Sequence, residues 1–109
     1  MKFEEMTDKT MQEKIKANVL EVDPEAEVWL YGSCARGTAR SDSDWDVLVL
    51  SPRQHFTTAD ESRFIDHMCE LIVETGEVVQ LFAYSKDDWH KRHRITPFYQ
   101  NVQHDAVRL

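Results

Sequence analysis

The chain is expected to fold as one α/β unit. Helical and strand-like segments alternate along it in the order helix, strand, strand, helix, strand, helices, and no repeat or low-complexity stretch interrupts them. A length of 109 residues suits a single domain, residues 1–109. Such a chain buries a substantial core, and about a third of its unfolded surface stays exposed.

Residues 10–22 place Met11, Ile15, Val19 and Val22 at helical spacing, with Thr10 and Glu13 set as a capping box and Asp23-Pro24 closing the helix. Val28–Tyr31 and Trp45–Leu50 are short β-branched and aromatic runs bounded by Gly, Ser or Asp, so both are expected strands. The loop Ser51-Pro-Arg-Gln-His-Phe56 follows, and its Arg53 and His55 receive no role. Thr58 and Glu61 open a second helix that carries Phe64, Ile65, Met68, Leu71 and Ile72 toward the core and stops at Gly76. Its methionine and aromatic stripe is packing surface. Val78–Tyr84 is the third expected strand. Ser85 and Asp88 then cap a short helix containing Trp89, and Thr96-Pro97 has the N-cap and N1 chemistry of a last helix whose Phe98 and Val102 close over the sheet.

The chemistry concentrates between the first two strands. Gly32-Ser33 ends one, ten residues follow, and Asp44-Trp45-Asp46 begins the other. A Gly-Ser turn into a short helix leaves backbone N–H groups pointing outward, an arrangement that favours an anion and phosphate above all. Residues two apart on a strand project to the same side, so Asp44 and Asp46 point together and Trp45 away. Two convergent carboxylates repel one another unless a cation lies between them, and hard oxygen ligands beside a phosphate site suit Mg²⁺. Each half taken alone has an ordinary explanation, a turn for Gly-Ser and surface charge for Asp-x-Asp. Their combination between two strands points to a catalytic nucleotide site.

At these residues the chain resembles the minimal nucleotidyltransferase group of the DNA polymerase β-like nucleotidyltransferase superfamily. Its members carry Gly-Ser, ten residues and Asp-x-Asp, with Ala-Arg-Gly and a further Arg inside the gap; Ala35-Arg36-Gly37, Arg40 and Ser43 match that pattern. The resemblance is dense over residues 28–50 and looser elsewhere. It implies a mixed β-sheet flanked by helices. It also implies transfer of a nucleoside monophosphate, with AMP favoured, from ATP or another nucleoside triphosphate to a hydroxyl of a protein or small-molecule acceptor. By the same resemblance Gly32 and Ser33 hold the phosphates, Asp44 and Asp46 hold Mg²⁺, and Arg36 and Arg40 face the triphosphate. Asp42 and Asp44 are equally available as ion-pair partners that would give either arginine a structural role. Some members of the group are antitoxins that adenylylate a HEPN-type toxin, which makes a HEPN-type protein the expected partner; self-association is the other way to complete the site.

Active members of the superfamily carry a third carboxylate on a later strand beside Asp-x-Asp. Here the position in register is Gln80, an uncharged amide that cannot accept a proton at neutral pH. Glu77 would serve only if the strand were bulged, because a three-residue offset reverses the face. A general base contributes typically about 10²–10⁴-fold, so its loss slows transfer without abolishing it. The alternative is therefore a weakly active or inactive module that binds a nucleotide or a partner through the same cleft.

The formal net charge of −7 gives poor long-range attraction to a nucleic-acid backbone, so a polymerase-like role is disfavoured. Lys86, Lys91, Arg92 and Arg94, together with His90 and His93, form a local basic cluster whose simplest explanation is a solvated helix face. The start Met-Lys-Phe-Glu-Glu has no apolar signal segment and no apolar run approaches the roughly 20 residues of a membrane span, so a cytoplasmic protein is expected. Two cysteines, Cys34 and Cys69, are too few for a disulfide scaffold.

Overall fold

In the computed structural model, which describes residues 8–32, 44–92 and 94–109, four strands form one mixed sheet with helices on both faces. The elements are α1 (Asp8–Val22), β1 (Glu27–Tyr31), β2 (Trp45–Ser51), α2 (Thr58–Thr75), β3 (Val79–Ser85), α3 (Lys86–Arg92), α4 (Pro97–Asp105) and β4 (Val107–Arg108). The strand order is β3-β2-β1-β4. β1 runs antiparallel to β2 and β4, whereas β2 and β3 are parallel and are joined through α2.

Side-chain alternation divides the core in two. Val28 and Leu30 of β1, Trp45, Val47 and Val49 of β2, and Val79, Leu81 and Ala83 of β3 all project to one face. There they meet Met11, Ile15 and Val19 of α1 and Phe64, Met68 and Leu71 of α2. The other face buries Leu48 and Leu50 under Trp89 of α3 and Val102 of α4. Trp89 is fully buried, stacked on Tyr84 at 5.3 Å between ring centroids. Phe98 meets Trp89 edge-on at 5.5 Å, so the last helix does close over the sheet as its apolar stripe predicts.

Several element boundaries differ from expectation. α1 is already helical at Asp8, so Thr10 lies inside it and the Thr10–Glu13 box does not mark its start. The box that opens α2 is one residue earlier than predicted: the Thr57 hydroxyl accepts from the Asp60 backbone N–H, and the Asp60 carboxylate accepts from the Thr57 N–H at 2.9 Å. Ile65, expected in the core, is 38% exposed because the buried line of α2 runs through Phe64, Met68 and Leu71. β4 was not anticipated. It has only two residues, too few for a period to show, and is held by the Leu109 N–H donating to the Val28 carbonyl at 2.9 Å. The predicted caps after β3 hold: the Asp88 N–H donates to the Ser85 hydroxyl, and the Tyr99 N–H to that of Thr96.

Candidate active site

The C-terminal end of β1 and the N-terminal ends of β2 and β3 come together at one edge of the sheet. Trp45 anchors this corner. Its side chain is buried in the core shared with α1 and α2, and its backbone N–H donates to the Val78 carbonyl at 2.9 Å. Burying Trp45 on one face sends Asp44 and Asp46 to the other, the face shared by Leu48 and Leu50, as the alternation predicts.

Gly32 follows β1 with φ +74°, a left-handed conformation that glycine adopts without a Cβ penalty. A Cβ at this position would collide with the Asp46 carboxylate, its Cγ being only 3.3 Å from where that Cβ would lie. The absence of a side chain thus lets the backbone at Gly32 approach the Asp46 carboxylate directly. Ser33, Arg36 and Arg40, with Cys34, Ala35, Gly37 and Ser43, lie outside the described residues.

Gln80 stands where register places it. It pairs with Asp46 across the parallel ladder, and its Nε2 donates to the Asp44 Oδ2 at 2.6 Å. A carboxylate cannot donate, so this bond sets the amide with its nitrogen toward Asp44. The ladder from Trp45–Val79 to Ser51–Ser85 is regular, which excludes the bulge that Glu77 would need. The Glu77 N–H is held by the Thr75 hydroxyl at 3.2 Å, in the turn after α2.

An aromatic wall borders the carboxylates. Tyr31 pairs with Asp46 across β1 and β2, and Phe98 packs edge-on against both Tyr31 and Phe82, at 5.6 and 5.5 Å. Burial, then the charge of Asp46 and the neighbouring Tyr84, push the Tyr31 phenol well above its ordinary value. It therefore stays protonated at neutral pH and cannot act as a base. Sequence reasoning placed Tyr31 and Phe82 only as strand residues. The signal for both was the alternation that puts Phe82 on the face of Gln80 and Tyr31 opposite Asp46.

In the basic cluster after β3, Lys86, Lys91 and His90 are engaged by neighbours, whereas the Arg92 side chain and His93 lie outside the described residues. Lys86 pairs with Glu27, Lys91 pairs with Asp87 at 3.1 Å, and the His90 ring shares a hydrogen bond with the Tyr99 hydroxyl at 3.1 Å. Arg53 is likewise engaged, with Asp60 at 3.0 Å. No helix among the described residues is long and apolar enough to cross a membrane.

The nucleotidyltransferase domain family matches residues 12–97. The chain belongs to that family. A solved protein assigned as a minimal nucleotidyltransferase is similar over 95% of this chain and 97% of its own, with 25% identity and a TM-score of 0.64. Two toxin–antitoxin structures share the fold. One was solved with AMP-PNP and is 20% identical over 88% of this chain and 69% of its own, with a TM-score of 0.63. The other is a point mutant of the MntA–HpeT pair, 21% identical over 90% of this chain and 70% of its own, with a TM-score of 0.59. No curated protein sequence matches the chain. Fold and family thus agree with the resemblance drawn from the sequence.

Proposed function

We propose that residues 1–109 form one nucleotidyltransferase domain that moves a nucleoside monophosphate, AMP in the first instance, from a nucleoside triphosphate to a hydroxyl of a protein or small molecule. The observation that carries this is the direct approach of Gly32 to Asp46. It brings an anion-binding turn against carboxylates that can hold a cation, and each ligand supplies the charge the other lacks.

In this proposal Gly32 and Ser33 hold the phosphates, and Arg36 and Arg40 face the triphosphate. Asp44 and Asp46 fit Mg²⁺: both are hard oxygen donors on one sheet face, and Mg²⁺ takes one or two carboxylates plus substrate phosphates. When bound, the ion offsets phosphate charge and polarises the phosphoryl group that is transferred. The protein's own part is to position the phosphates at the turn and to keep the carboxylates converged. Tyr31 and Phe98 border the carboxylates on one side. The toxin–antitoxin neighbours support a protein partner; the family resemblance makes that partner a HEPN-type acceptor, in the cytoplasm, and self-association is the other arrangement.

Titration calorimetry tests the site. ATP should bind more tightly with Mg²⁺ than with a chelator, and Asp44→Asn or Asp46→Asn should remove the difference while leaving thermal unfolding cooperative. Equal affinity under both conditions rejects the site. The second reading, a nucleotide- or partner-binding module with little chemistry, is favoured by the neutral Gln80 beside the carboxylates. Pyrophosphate release in the presence of the protein partner separates the two: a sustained release supports transfer, and nucleotide binding without release supports the module.

A further inference from the structure

We propose that this site holds one divalent cation, on Asp44 and Asp46, and that the Gln80 amide takes the place where the charge of a second ion would fall. The inference rests on the nucleotide reading above and specifies its metal content.

A second ion in a two-metal site lies about 3.5–4 Å from the first and shares anionic oxygens with it. Such an ion needs negative charge on both sides. In this sheet the side chain in register with Asp46 is Gln80, and it offers none. It also presents the wrong atom: its Nε2, not its carbonyl oxygen, faces Asp44 Oδ2 at 2.6 Å. An N–H donor and a cation seek the same carboxylate lone pairs, so the amide competes with an ion on that side of Asp44. The amide supplies partial positive charge, which eases the repulsion between the two aspartates without a second metal.

Among the described residues no other carboxylate in register makes up the deficit. The regular ladder keeps Glu77 out of register, and among the described residues no three His, Cys, Asp or Glu side chains gather to hold a metal. Gln80 accepts no proton at neutral pH, so the position also lacks a base. A chain with one ion would hold the triphosphate well and depend on its acceptor for activation of the attacking oxygen.

The test counts Mn²⁺ by electron paramagnetic resonance in the presence of AMP-PNP. The wild-type chain should bind one Mn²⁺. Gln80→Glu and Gln80→Asp, which restore a carboxylate at an exposed position, should each bind a second, tightened by about ten-fold or more relative to wild type. Circular dichroism checks that both variants keep the fold. Two ions in the wild type overturn the inference and leave the nucleotide site standing. A count that stays at one in both folded variants overturns it as well, since the amide would not then be what excludes the second ion. No Mn²⁺ bound to the wild type overturns both this inference and the proposed function.

Discussion

Gly32 and Gly76 share a backbone φ of +74°, yet their surroundings differ. Gly76 closes α2 with its N–H donating to the Ile72 carbonyl at 2.8 Å, and nothing lies within 4 Å of where its Cβ would be. Gly32 has the Asp46 carboxylate in that place. Gly76→Ala should therefore cost only the left-handed penalty of about 1–2 kcal/mol. Gly32→Ala should add displacement of Asp46, seen as Mn²⁺ affinity lowered by about ten-fold or more. Melting temperatures and Mn²⁺ titrations of the two variants check this. If Gly32→Ala bound Mn²⁺ as well as Gly76→Ala, the close approach would have no bearing on the metal carboxylates. The value of Gly32 as a turn is legible in the sequence. The specific side chain it makes room for is not, because Asp46 arrives from another strand.

Among the elements, α2 shows how far periodicity reaches. Its sequence names the right helix and nearly the right ends, because Thr57, Asp60 and Gly76 act locally. Neighbouring apolar residues such as Phe64 and Ile65 stand about 100° apart, however, and only contact with β3 and α1 decides which one lies at the centre of the buried line. Phe64→Ala should cost about 3–5 kcal/mol and Ile65→Ala under about 1 kcal/mol in urea unfolding. Similar losses at both positions would mean that the helix is rotated from this orientation. The Asp60 carboxyl is held below its ordinary value chiefly by the Thr57 backbone N–H; desolvation opposes this, and the Thr57 hydroxyl and the charges of Arg53 and Arg63 add to the lowering. The helix start is thus favoured above the usual carboxylate range and weakens as the pH falls through the lowered value.

Across the whole molecule, Glu27 connects elements distant in sequence. It pairs with Lys86 of α3 and accepts from the Trp29 indole N–H at 3.0 Å, and Arg108 of β4 lies 6.0 Å from the centre of the Trp29 ring. Burial opposes ionisation of Glu27, but the hydrogen bonds from Lys86 and Trp29 and the charges of Lys86 and Arg108 outweigh it and lower its pKa. The sign follows directly: a lowered carboxyl contributes its full stability above the unfolded value of 4.5 and loses it as the pH falls through the folded one. Glu27→Gln should destabilise the protein by roughly 1–3 kcal/mol at pH 7, and the gap to wild type should narrow below the unfolded pKa and close once the pH is below the lowered folded value. Chemical denaturation at a series of pH values measures it; a gap independent of pH would show that the contribution is packing and not charge.

The sequence by itself determined the alternation of elements, the turn-to-carboxylate motif, the common face of Asp44 and Asp46, and the register position of Gln80. All of these follow from periods of two or 3.6 residues and from turn chemistry acting over a few positions. Only the tertiary structure decided that the Gln80 nitrogen points at Asp44, that Gly32 abuts Asp46, that Phe98 walls the site beside Tyr31 and Phe82, and that the last residues add a strand. Those contacts join residues far apart along the chain. Their distances are set by how helices and strands pack around two shared cores, which no local period encodes.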